Sequence, residues 1–253
     1  MTFHEYGKQN NRNIVLIYPS VVTWDYFSRV CPFLCEDFHL IIPALPGYDR
    51  EAPNEDFTSV EDISARISDY LVLKGIEDVD ILYGCSMGGS VALRMLADHK
   101  VHVKNAIADG AITPYQLPWL ITRLIAVRDF MMVSVAKAGG LKILEKAFST
   151  DEYSKEDLEY LSGVLHFMSY KTIWRTFESC NNYKMPDPVP EISGHLEYWY
   201  GDKEEKDRAW DIQYVKRHFP GTKLVKIRNC GHGSMVPLYP QELAVRFKML
   251  IHR

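Results

Sequence analysis

The chain has 253 residues, 47% of them apolar and 25% charged, the composition of an ordinary globular protein with ample material for a core. At roughly 150 residues per domain the length argues for one domain carrying an insertion, and disorder is excluded as a global description. Twenty-nine Lys and Arg against 33 Asp and Glu leave a net charge of -4, without the basic surplus that binding along a nucleic-acid backbone requires.

Residues 1–13 are polar and hold neither the apolar stretch nor the small-residue cleavage site of a signal peptide. Residues 14–18 are the first strand candidate, a short apolar run bounded by turn residues; 40–43, 79–83 and 103–109 share this look of strands buried on both faces. Thr58, three residues before Glu61, predicts a capping box, after which Val60, Ile63, Ile67 and Leu71 recur at helical spacing until Gly75 stops the helix. Strands alternating with helices predict an α/β sheet.

The alternation stops at Ile112. Up to about residue 193 the patterns are helical, over 117–148 and 156–180, so 112–190 reads as a helical insertion into a core of 1–111 and 191–253. Its longest apolar stretch, 117–135, is broken by Arg123, Arg128 and Asp129, which are costly within a bilayer, so no membrane span is expected. Pro186, Pro188 and Pro190 cannot continue a helix and carry the chain back as extended backbone. A strand at 195–200, a helix at 207–219 and a strand at 223–227 follow, and Pro240 opens a last helix at its favourable first position. Five cysteines (Cys31, Cys35, Cys85, Cys180, Cys230), odd in number and without C-x-x-C spacing, fit a reducing cytoplasm. No H-E-x-x-H or clustered His and carboxylate spacing suggests a metal, and no cofactor is expected.

The chemistry concentrates after the strand at 79–83, where Gly84-Cys85-Ser86-Met87-Gly88-Gly89 leads at once into a helical stretch. This is G-x-S-x-G in the strand-turn-helix context that gives the pattern meaning. A nucleophile on so tight a turn adopts strained backbone angles, and glycines at 84 and 88 remove the clashes two positions either side. The Met87 N–H, at the helix start, points towards a developing oxyanion. A serine hydroxyl needs a base, and Gly231-His232-Gly233 supplies an imidazole on a loop after the final strand, in the chain order of a Ser, acid and His set. The acid that orients His232 should follow the strand at 195–200, where Gly201-Asp202-Lys203-Glu204-Glu205 stands.

With these motifs and with Leu45-Pro46-Gly47-Tyr48, which is similar to the L-P-G-x turn of that family, the chain resembles the α/β-hydrolase superfamily, in its group of small, capped, serine-dependent enzymes. The resemblance implies a mostly parallel sheet of six to seven strands flanked by helices, because 13 residues are too few for the usual N-terminal strand pair. It implies that the acid lies three residues after the glycine ending its strand, at Glu204, where relatives more often carry aspartate. Asp202 and Glu205 are rivals, and Asp109 occupies an alternative acid position. Where relatives carry His-Gly after the first strong strand, this chain has Tyr18-Pro19-Ser20-Val21-Val22. Proline has no N–H, so the second oxyanion donor falls to Ser20, with Val21 next in line.

The resemblance also makes the insertion a cap over Ser86. Tyr115, Trp119, Phe130, Met131, Met132, Phe148, Tyr153, Phe167, Met168, Tyr170, Trp174 and Phe177 supply both its helix contacts and an apolar pocket wall. Arg123, Arg128 and Arg175 are the candidates for anchoring a charged substrate. The expected activity is a serine hydrolase of the carboxylesterase type on a small-molecule substrate. Thioester, lactone or carbon-carbon bond hydrolysis would use the same groups, and a ligand-binding protein with little turnover is the reading from another class.

Overall fold

The computed structural model describes residues 1–114, 117–147 and 153–252. Its first strand, β1 (Thr2–Tyr6), lies in the polar N-terminal stretch, which is too short for a strand pair and holds this single strand. β1 pairs antiparallel with β3 (His39–Ala44) at the sheet edge, Phe3 stacks on Tyr70, and Glu5 accepts from Tyr70 and bonds His39. Such an edge strand needs only one half-buried face, so its polar residues give no apolar run to detect.

The apolar runs become inner strands: β2 (Asn13–Ile17), β3, β4 (Asp78–Cys85) and β5 (His102–Asp109), the last two with charged or polar residues in their first halves. With β6 (His195–Gly201) and β7 (Lys223–Ile227) they form a seven-stranded sheet in the order β1-β3-β2-β4-β5-β6-β7, parallel throughout except for β1. The expectation of six to seven strands, mostly parallel, is met. Chain order reverses on either side of β2, so the loops after β2 and β4 diverge and leave a crevice at the carboxyl ends of the strands, where ligands bind in open α/β sheets.

Short α1 (Cys31–Leu34), α2 (Val60–Leu73) and α3 (Met87–Asp98) connect the first strands. The N-cap of α2 is one residue later than predicted. Ser59 accepts from the Asp62 N–H while the Thr58 N–H donates to the Asp62 carboxylate, because Asp62, unlike Glu61, reaches back to both. Gly75, at φ +70, ends the helix as expected.

Between β5 and β6 the chain forms α4 (Trp119–Gly139), α5 (Leu141–Ala147), α6 (Lys155–Phe167) and α7 (Tyr170–Asn182). The two long helical patterns read from sequence are each divided. Gly140, at φ +58, separates α4 from α5, and extended Met168 with Ser169 as a cap separates α6 from α7. Then come α8 (Ala209–His218), short α9 (Met235–Leu238) and α10 (Pro240–Ile251), with Pro240 in the first turn as read. Among the described residues no helix is long and apolar enough to cross a membrane.

Candidate active site

Ser86 stands between β4 and α3 with φ 52 and ψ -116, a backbone conformation costing a non-glycine residue on the order of 1–3 kcal/mol. The surroundings hold it there. The Ser86 N–H donates to the Asp109 carbonyl at 2.8 Å, and a Cβ on Gly88 would lie 2.2 Å from the Ile17 carbonyl oxygen at the end of β2. A Cβ on Gly84 would meet the Gly88 carbonyl equally closely, so both glycines are required by contact.

β7 leads into the Gly231-His232-Gly233 loop, which is fixed by the Tyr26 hydroxyl donating to the Gly233 carbonyl and by the Gly231 N–H donating to Ser234 Oγ. This places His232 Nε2 2.8 Å from Ser86 Oγ and His232 Nδ1 2.7 Å from Glu204 Oε2. A carboxylate only accepts, so Nδ1 carries the proton and Nε2 presents its lone pair to the serine hydroxyl. The other Glu204 oxygen accepts from the Gly201 N–H at 3.1 Å, and Arg208 lies 3.6 Å from Oε2. Burial alone would push the Glu204 carboxyl up. The His232 hydrogen bond and charge, the Gly201 N–H and the Arg208 guanidinium outweigh it and hold the group below the ordinary glutamate value.

The rival carboxylates go elsewhere. Glu205 pairs with Lys226 at 2.6 Å, and Asp202 makes no bond to His232 among the described residues, its Oδ1 lying buried without a hydrogen-bond partner. Asp109 is buried behind the elbow, accepting from the Tyr83 hydroxyl at 2.6 Å; desolvation pushes its carboxyl up to about 6 against the Tyr83 bond, with the Glu204 charge adding to the rise. A carboxyl whose folded value exceeds its unfolded 3.8 costs stability above about pH 6, and that cost vanishes below about pH 4. Asp109→Asn keeps an acceptor for Tyr83, so it should stabilise the protein by up to about 3 kcal/mol at pH 8 and by little at pH 4, as urea unfolding at the two pH values would show.

Gly110 has φ +55, and a Cβ there would lie 2.9 Å from His232 Nδ1 and 3.3 Å from Glu204 Oε1. Sequence reading passed over this glycine. Its only signal was its place directly after Asp109 at a strand end. Gly110→Ala should lower stability by about 1–2 kcal/mol through the positive φ and should also displace the imidazole, a double effect visible as a lowered Tm together with a lowered kcat.

Ser20 and Val21 lie on the loop after β2, and Val21 has φ +66. Among the described residues neither the Ser20 nor the Met87 N–H has a hydrogen-bond acceptor. Ser20, Ser86 and His232 face one cavity of about 950 Å³ whose far walls come from α4, α5 and α6. Its lining is mostly apolar. From the predicted wall, Met131, Met132 and Tyr153 reach it; the aliphatic Val133, Ile143, Leu161 and Leu165, not singled out from sequence, supply much of the rest. Phe130 packs on Trp174 instead, Trp119 and Tyr170 are exposed, and Tyr115 and Phe148 lie outside the described residues. Tyr160 of α6 accepts from the Thr23 N–H and donates to Asp25, tying the inserted helices to the loop that carries Ser20. None of the three candidate anchoring arginines lines the cavity. Arg123 pairs with Glu178, Arg128 with Asp129 and Arg175 with Asp56. Among the described residues no group of three or more His, Cys, Asp or Glu could hold a metal ion.

A mostly parallel sheet with an elbow serine after β4 and a histidine after the last strand defines the class as α/β hydrolase. The comparisons agree: the profile described as "Alpha/beta hydrolase family" matches residues 20–246, and the chain belongs to that family. It is 23% identical to "Lipase 1" of Psychrobacter immobilis over 255 aligned positions, which cover 93% of this chain and 76% of that protein. An esterase from Exiguobacterium antarcticum superposes with a TM-score of 0.80 at 16% identity, over 99% of this chain and 95% of that one. MenH from S. aureus does so with a TM-score of 0.80 at 19% identity, over 99% and 97%.

Proposed function

We propose that the protein is a serine hydrolase that cleaves small to medium, largely apolar carboxylic esters through an acyl-enzyme. The observation that carries this reading is the continuous hydrogen-bonded chain Ser86–His232–Glu204 at the floor of an apolar cavity. In it, Ser86 Oγ attacks the ester carbonyl as His232 Nε2 takes its proton, and the carbonyl oxygen becomes an oxyanion facing the Met87 and Ser20 N–H groups. Glu204 stabilises the imidazolium. The imidazolium then gives its proton to the departing alkoxide, leaving the acyl group on Ser86 and the alcohol free. A water molecule, deprotonated by the same Nε2, attacks the acyl carbon, and collapse returns the proton to Ser86 Oγ with release of the acid. The helices α4–α6 act as a cap that shelters these steps from bulk water. The relatives named lipase and esterase fit this reading.

The apolar walls make a graded expectation. Each CH₂ buried from water contributes about 0.8 kcal/mol, so kcat/KM on p-nitrophenyl esters should rise by up to about fourfold per methylene until the cavity is filled. A profile that is flat from acetate to octanoate would remove the acyl-pocket assignment. A fluorophosphonate probe should label Ser86. Native, folded protein that takes no label and turns over no ester, thioester or lactone would instead be a ligand-binding member of the fold.

A further inference from the structure

Among the described residues four other than glycine have a positive φ, and of these Val21, at φ +66, is the one with a β-branched side chain. That conformation is an outlier for valine and persists where the surroundings dictate it. Val21 directly follows Ser20, so relaxing its φ would turn the planar Ser20–Val21 peptide and carry the Ser20 N–H with it. The sheet does not prevent this. β2 ends at Ile17, and among the described residues the backbone of 20–22 makes no hydrogen bond.

The contacts that hold the turn come from the inserted helices. The Val21 side chain packs against a cluster of Leu144 from α5 with Leu158 and Leu165 from α6. Two residues on, the Thr23 N–H donates to the Tyr160 hydroxyl at 3.1 Å, and that hydroxyl donates to Asp25 Oδ1 at 2.5 Å. Asp25 Oδ1 takes the Thr23 hydroxyl proton as well. Burial and the Asp25 carboxylate push the Tyr160 hydroxyl above the ordinary tyrosine value, so it keeps the proton that this bond needs. Tyr160 lines the cavity, yet its one proton is already given to Asp25 and none is left for a substrate oxygen. Its hydroxyl serves the loop.

We propose that Tyr160 of α6 is a positioning residue of the ester reaction, which through Thr23 and the strained turn at Val21 holds the Ser20 N–H in the oxyanion site. The oxyanion hole is then complete only while the inserted helices are seated on the core. This role rests on the esterase reading with Ser20 as the second donor.

The test compares native protein, Tyr160→Phe and Ser179→Ala on one p-nitrophenyl ester. Phenylalanine keeps the ring and removes the hydroxyl. Tyr160→Phe should therefore lower kcat about 10- to 100-fold, short of the roughly 10²- to 10³-fold cost of a missing oxyanion donor, with KM within about twofold of native. The Ki of an alkyl trifluoromethyl ketone, whose adduct with Ser86 carries an oxyanion, should rise by the same factor as kcat/KM falls. Ser179→Ala cuts a different bond between the inserted helices and the core, the one from the Val60 N–H at 2.6 Å, and should leave kcat and Ki near native. If Tyr160→Phe folds poorly by circular dichroism, Asp25→Ala, which removes the acceptor of the Tyr160 proton from the core side, should show the same paired change in kcat and Ki. A fall in kcat shared by Ser179→Ala, a rise in KM alone, or native kcat and Ki in the folded variant would overturn the positioning role, while native turnover would keep the esterase reading standing. Native protein that takes no fluorophosphonate and turns over no ester would remove that reading, and this role with it.

Discussion

Ser86→Ala should reduce ester hydrolysis by on the order of 10⁶-fold while leaving Tm close to native. The acyl-enzyme needs the serine oxygen, whereas the fold needs only the backbone geometry of the elbow. The φ of 52 at Ser86 is imposed by the contacts of Gly84 and Gly88 and by the Ser86 N–H bond to Asp109. Alanine sits there at no greater steric cost than serine, and among the described residues the one side-chain bond lost is that to His232 Nε2. His232→Ala should fall to a similar floor, because Ser86 Oγ at 2.8 Å from the imidazole is an unactivated alcohol without it. Groups acting as a unit lose their effect once, so the double variant should be hardly slower than either single one in steady-state assays on the same ester. Losses that multiplied would mean that Ser86 and His232 act separately, and a Ser86→Ala enzyme with near-native turnover would sink the reading altogether.

The parts of this architecture that were legible in the sequence are those where a local rule leaves one choice. Strands β2 and β3 and the carboxyl-terminal halves of β4 and β5 are buried on both faces and therefore spell short apolar runs, and the elbow needs glycines whose missing Cβ atoms the close contacts explain. What stayed hidden depends on partners distant in the chain. β1 is ordered by pairing with β3 and by Phe3 meeting Tyr70, neither of which a polar pentapeptide announces. Gly110 matters because of a ring brought from position 232, and the aliphatic cavity wall looks in sequence like ordinary helix-core residues. The Arg123, Arg128 and Arg175 side chains read as potential anchors until Glu178, Asp129 and Asp56 are seen beside them.

The same dependence on distant partners separated Asp109 from Glu204. In sequence both end a strand or follow one by a few residues, and each could reach an imidazole. In three dimensions the difference is electrostatic as well as geometric. Glu204 is held charged by a hydrogen bond to His232, a backbone N–H and a nearby guanidinium. Asp109 is buried with a tyrosine hydroxyl as its bonded partner, and its rise to about 6 leaves it easier to neutralise than a surface aspartate. A group meant to stabilise an imidazolium must stay ionised as the imidazolium forms, and the environment of Glu204 meets that requirement better.

Glu204→Gln should therefore lower kcat by roughly 10³- to 10⁴-fold with the fold preserved. The glutamine side chain matches glutamate in size, and its amide must divide its roles. Its carbonyl oxygen suits the Gly201 N–H that now donates to Oε1, which turns the NH₂ towards His232 Nδ1. Facing a donor, Nδ1 must be the unprotonated nitrogen, so the ring proton moves to Nε2 and the lone pair that should receive the Ser86 proton is lost. The charge that stabilised the imidazolium is lost with it. Asp109→Asn should leave kcat within a few-fold of native, since its bonded partner is Tyr83 and Asn still accepts from that hydroxyl. The two variants assayed side by side on one ester, with circular dichroism to confirm folding, make the assignment decisive. If Asp109→Asn were the crippling change and Glu204→Gln nearly silent, the orienting acid would belong at the end of β5, and the Ser86 and His232 roles would stand unchanged.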